Sequence, residues 1–326
     1  MKSTKERDFA IDVVKFIAVL LIINSHADMM YPKYSMLATG GAIGDCLFLF
    51  CSGFTLFWGG QKSFDNYYKR RINRIYPSVF AATLFTHLFF CNSQFQLLDF
   101  SGGEFVMAIM VYYIFLYYIR KYTINRIPLL LLLVAIVSLV VYIVWFPYKY
   151  ETSSNGLYGI TTYYRWIPYF AAMLLGAFIG LKRMEMKYNG LWDTTMLFLC
   201  VGIFYTIQFV SKIYRPIAPL QIVTLLPLMG VSVYLYKCCN CGWVKRLYDS
   251  KLGNICIMIV GGLCLESYLI QGVLFTDKMN SIWPLNLIAI VFIILLCSYL
   301  VRCVARLFAQ TFRTEDYEWK KIISIY

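Results

Sequence analysis

Ten apolar stretches, each near the ~20 residues a helix needs to cross a bilayer, recur along this chain and constrain its fold more than any single motif. They fall at about 11–27, 43–60, 77–92, 103–119, 128–146, 164–181, 191–210, 217–236, 253–275 and 284–304. Lipid offers a backbone no hydrogen-bond partners, so such segments must be helices that satisfy themselves. The expectation is an all-α, polytopic membrane bundle. Composition agrees: 14% of the residues are charged and 60% are hydrophobic, against about a quarter charged in a soluble domain. No linker, repeat or soluble module separates the runs, so residues 1–326 read as a single membrane domain without an appended soluble one. The largest outer connection, "PYKYETSSNGLYGITT" from Pro147 to Thr162, could lid an opening but is too short to be a domain.

Basic residues set the orientation. With the N-terminus inside, 24 of the 30 Lys and Arg fall on the cytosolic side, and the positive-inside rule then places both termini in the cytosol. That bias accounts for much of the +13 net charge, so the expected partner is a lipid bilayer and not nucleic acid. The first apolar run carries Asp12 and Lys15 and lacks a small-residue cleavage site, so it reads as a retained span and not a removed signal. The expected location is the cell (inner or plasma) membrane, with many passes. Of the eleven cysteines, most sit within spans as small hydrophobes. "KCCNCGW" (Lys237 to Trp243) has three thiols, but zinc needs a fourth ligand and both histidines lie elsewhere. No metal site is expected.

Polar groups inside spans are costly and usually face a cavity or a partner. In "DVVKFIAVLLIINSH", the eleven steps from Lys15 to His26 close within about 20° of three helical turns, about 17 Å apart along the axis. Asp12 lies within about 40° of the same line and can pair with Lys15 three residues on. Asp45 opens the second run and Glu266 lies near the middle of the ninth. Either carboxylate would make His26 a stronger base by fixing its tautomer, and Glu266 could equally neutralise a basic partner in the bundle. "FDNYYKRRINRIYP" puts Arg70, Arg71 and Arg74 on adjacent turns, suited to phosphates through bidentate bonds or to anionic lipid heads. Gly40, Gly41, Gly44, Ser52 and Gly53 allow close helix approach. His87, alone in its span, reads as structural.

In order and spacing, these segments resemble the acyltransferase 3 family of integral membrane enzymes. "RDFAIDVVKFIAVLLIINSH" is similar to the family's opening Arg…Asp…Arg-x10-His pattern at Arg7, Asp12 and His26. "GAIGDCLFLFCSGF" is similar to its Gly…Phe-Phe…Ser-Gly-Phe block and "FDNYYKRRINRIYP" to its Arg-Arg-x-x-Arg-Ile-x-Pro block. "RWIPYFAAMLLGAFIG" and "LCLESYLIQGVLF" resemble its middle and late blocks. Three departures stand out. Lys15 replaces the usual arginine, Gln271 replaces the late histidine, and Asp45 falls one residue early, which rotates it by about 100°.

The resemblance implies acyl transfer, acetyl above all, from cytosolic acyl-CoA to a hydroxyl of a surface polysaccharide or lipid-linked glycan. It implies no permanently bound cofactor. Arg70, Arg71, Arg74 and Lys15 would hold the CoA phosphates, and Ser52 and Asp12 would line the path of the pantetheine arm. His26 would be the base or the acyl carrier, with Asp45 or Glu266 beside it. Transfer of succinyl, a transporter or glycan-export component, and a non-catalytic relative are the competing readings.

Overall fold

The structure, a computed structural model, describes residues 7–58, 62–90, 96–145, 157, 162–312 and 314–324. Among these there is no strand. The helices are α1 (Phe9–Ser25), α2 (Gly41–Leu56), α3 (Phe64–Phe89), α4 (Gly103–Tyr122), α5 (Ile127–Trp145), α6 (Thr162–Lys182) and α7 (Gly190–Ile213). There follow α8 (Leu225–Cys239), α9 (Gly242–Asp249), α10 (Lys251–Gly262), α11 (Cys264–Leu274), α12 (Leu285–Thr311) and the short α13 (Trp319–Ile322).

Helix, α or 3-10, covers most of the described part of each expected apolar run, and the fold is an all-α, polytopic membrane bundle. Among the described residues, seven helical segments are long and apolar enough to cross a bilayer, and α10 with α11 makes an eighth if that bent pair is one span. The two remaining runs differ for identifiable reasons. Helix α1 has only 17 residues. Helix α3 is 26 residues long, but its first half carries Asp65, Lys69, Arg70, Arg71 and Arg74, and Pro77 divides that half from the apolar one. The ninth run, expected to be one helix, breaks at Leu263 with a bend of 70°. The expected loop from Pro147 to Thr162 lies outside the described residues apart from Leu157 and the backbone of Thr162. Leu157 packs with Tyr142 and Tyr164 and donates its N–H to Gln221 at 2.9 Å.

The chain divides into two compact units, each assembled from separated stretches. The first comprises Met1–Lys15, Ala42–Gln61 and Tyr118–Ser250. Helices α2 and α6 approach closely within it. A Cβ on Gly53 would fall on the carbonyl oxygen of Met173, and one on Gly176 on that of Phe50. Only hydrogen fits between these backbones, which is the close approach small residues permit.

The second unit comprises Phe16–Gly41, Lys62–Tyr117 and Lys251–Tyr326. Helices α3, α11 and α12 pack around Ala81, Ala82, Ile270, Val301 and Ala305. Within this apolar core lies an ion pair. Arg302 holds Glu266 through Nη2 at 2.8 Å and Nε at 3.3 Å, and the Ser78 hydroxyl donates to the same carboxylate at 2.8 Å. Arg302 also donates to the Gly262 carbonyl. One guanidinium therefore caps the helix end left open at the break and neutralises the acid that follows it.

Candidate functional site

In the second unit, α1 ends at Ser25 and His26 follows in a turn, exposed, with its backbone N–H on the Ile23 carbonyl at 3.3 Å. The apolar half of α3 brings His87 to its last turn. Beyond α3 the chain forms a tight turn, Leu97–Ser101, that places Asp99 beside that histidine. His87 Nε2 is 3.2 Å from Asp99 Oδ2, and Nδ1 is 3.0 Å from the Thr83 carbonyl. The Thr83 hydroxyl in turn donates to the Asp99 carbonyl at 3.0 Å, and the Gln96 N–H donates to Asp99 Oδ2 at 2.8 Å. Asp99 is thus fixed through both its backbone and one carboxylate oxygen.

His26, His87, Asp99 and Gln271 line one cavity of about 400 Å³, with Gly102 and Gly103 in its wall. Both glycines have positive φ, +76° and +79°, where a larger residue would be strained. Tyr268, Gln271 and Gly272 come from α11, beyond the break.

The hydrogen-bond inventory of this cavity is uneven. A carbonyl can only accept, so Nδ1 of His87 carries a proton, and the contact with Asp99 needs one more, shared between Nε2 and the carboxylate. Among the described residues, neither ring nitrogen of His26 has a partner, and no second group bonds to Asp99 Oδ1. Gln271 is 3% exposed, and its Oε1 is buried without a partner. Gln271 stands at the position of the late histidine in the resembling pattern, and His87 lines the same cavity. His87, expected to be structural, has both ring nitrogens engaged by its own chain and in addition lines the cavity.

The other expected site residues divide between the units. Arg70, Arg71 and Arg74 lie on the charged half of α3, in the second unit. The Arg71 guanidinium lies 5.2 Å from the Tyr67 ring centre and 5.1 Å from that of Tyr113. Its Nε is buried with no bonded partner. Arg70 and Arg74 are exposed. Thirteen residues of helix put Arg74 about 20 Å from His87 along α3.

Glu266 does not pair with His26. Arg302 and Ser78 engage both its oxygens, the neutralising arrangement of the two that the sequence left open.

Asp12, Lys15, Asp45 and Ser52 belong to the first unit. There Asp12 is buried and receives Arg7 Nε and the Tyr248 hydroxyl (3.2 Å), with Lys15 Nζ at 3.7 Å. That bond and the carboxylate's charge raise the Arg7 pKa above its ordinary value, so Arg7 stays charged. Asp45 accepts from the Tyr169 hydroxyl at 2.8 Å.

The family model described as an acyltransferase domain, acyltransferase 3, matches residues 8–303. The chain belongs to the acyltransferase 3 family. It is a multi-pass membrane acyltransferase, and the matched span includes every cavity residue named above. No curated protein and no solved structure gives a match to the chain. Of the two groups paired in this acyltransferase's cavity, Asp99 escaped the sequence reading and His87 was read only as structural. The available signal was that His87 is one of only two histidines in the chain.

Proposed function

We propose that this membrane acyltransferase moves a short acyl group, acetyl or succinyl, from cytosolic acyl-CoA to a hydroxyl of a surface polysaccharide or lipid-linked glycan. One observation carries the reading. An unbonded histidine, His26, opens onto a 400 Å³ cavity in the same unit that presents Arg71 and Arg74 on α3.

The arginines take the CoA phosphates by charge-assisted bonds, and the thioester reaches toward His26. His26 removes the proton from the acceptor hydroxyl, whose oxygen attacks the thioester carbonyl. The new C–O bond forms, the C–S bond breaks, and the proton passes from His26 to the departing thiolate. Donor and acceptor leave as CoA thiol and ester. In this reading the enzyme sits in the cell membrane with both termini in the cytosol, where acyl-CoA is available.

The break between α10 and α11 favours a second reading, transport of a glycan, because discontinuous helices recur at transporter sites. Intact-mass analysis of surface glycans separates the two. An acyl-sized mass present with the wild-type gene and lost in both a deletion and His26→Ala supports transfer. A glycan that disappears from the surface and accumulates unmodified inside supports transport. Full acylation in His26→Ala removes His26 from the chemistry.

A further inference from the structure

The cavity holds hydrogen-bond acceptors that the chain itself leaves without donors. Asp99 is fastened through Oδ2, which takes both His87 Nε2 (3.2 Å) and the Gln96 N–H (2.8 Å), while Oδ1 has no bonded group among the described residues. Its side chain is 32% exposed. Gln271 adds a second acceptor, an amide oxygen buried with no partner in a residue 97% removed from solvent. The Gln271 oxygen is buried and unbonded, at a cost to the fold, while Asp99 Oδ1 is part-exposed where the cavity opens, so the cavity has room for an entering donor at the carboxylate and a second polar partner in the amide. The amide could be turned to present N–H₂ instead, but the carboxylate has no such freedom.

We infer that Asp99, braced by His87, and Gln271 form the acceptor-reading site of this enzyme, and that the acceptor brings a second O–H or N–H donor next to the hydroxyl that reacts. The inference rests on the acyl-transfer reading above and adds the identity of the groups that select the acceptor. His26 takes the proton of the reacting hydroxyl, and the neighbouring donor bonds to Asp99 Oδ1 and Gln271. An anionic group is excluded from that position, because it would face the Asp99 carboxylate. The arrangement also accounts for a chain that has glutamine at position 271. Gln271 positions and selects, while His87 holds the carboxylate and keeps both its ring nitrogens engaged. Asp99 and Gln271 are therefore specificity-determining residues that touch substrate, and His87 is a positioning residue.

The test uses the full-length enzyme in membrane vesicles, acyl-CoA as donor, and unacylated surface glycan prepared from cells lacking the gene as the acceptor probe. Asp99→Asn and Gln271→Leu are each expected to raise the KM for the glycan at least tenfold while the KM for acyl-CoA stays within twofold. His87→Gln should follow Asp99→Asn in the same direction. A merely structural Asp99, closing its tight turn, would lower the amount of active enzyme and leave the ratio of the two KM values unchanged. Gln271→Leu lies outside that turn and keeps the test open if Asp99→Asn fails to accumulate. Unchanged glycan KM in either of these two variants, or a parallel rise in both KM values, would overturn the inference. Wild-type vesicles that transfer no acyl group would overturn the acyl-transfer reading itself, and the two failures are distinct.

Discussion

Asp12 and Asp99 are both carboxylates beside basic side chains, yet the molecule treats them differently. Asp12 in the first unit is buried, and Arg7, Tyr248 and Lys15 all converge on it. Asp99 in the second unit keeps one oxygen unbonded in an open cavity. Sequence pattern favoured the first as a site residue and passed over the second. The difference is one of remaining capacity: the chain's own groups converge on Asp12, whereas Asp99 has one oxygen left to accept a bond. Glu266, filled by Arg302 and Ser78, belongs with Asp12.

This contrast can be broken by substitution. The largest effect is expected at Glu266. Removing one member of a buried ion pair costs about 3–5 kcal/mol, because the other charge is left in the interior. Glu266→Leu should therefore lower the thermal unfolding temperature in detergent sharply, with little folded protein recovered. Combining it with Arg302→Met should restore part of the loss, since paired apolar replacements are often neutral. A double variant no more stable than the single one would place Glu266 outside the class of neutralised structural acids.

A smaller effect is expected from Asp12→Asn, about 1–2 kcal/mol, because Arg7 is 58% exposed along its side chain and its pairing is screened. Asp99→Asn sharpens the comparison. Its cost in the same melt should be below that of Asp12→Asn, while its effect on acceptor KM should exceed it. Equal stability losses at the two aspartates would dissolve the distinction.

Much of this was written in the sequence. The apolar runs located the helices because length and hydropathy alone decide whether a segment suits lipid. His26 drew attention as a polar residue closing an apolar run, although α1 ends at Ser25 and His26 sits in the turn beyond it, so the helix face expected from its spacing to Lys15 is not what presents it. The arginines were legible from helical spacing, which puts them on adjacent turns of α3. What escaped depended on chain reversal. Asp99 meets His87 from twelve positions further along the chain, and no periodicity announces such a meeting. Arg302 read as one more basic residue of a cytosolic tail, although it reaches 36 residues back to Glu266. The break at Leu263 was hidden within "GNICIMIVGGLCLESYLIQGVLF", where hydropathy never falters. The paired Gly261 and Gly262 were its only mark.

That break also has a consequence for thickness. At 1.5 Å per residue, Lys251 to Leu274 would reach about 36 Å as one straight helix, and bent by 70° they reach about 29 Å. The hydrocarbon layer is about 30 Å thick, so a straight segment would overhang it and have to tilt. As one bent span the segment would reach about the thickness of that layer without tilting, and its second half, α11, packs against α3 and α12.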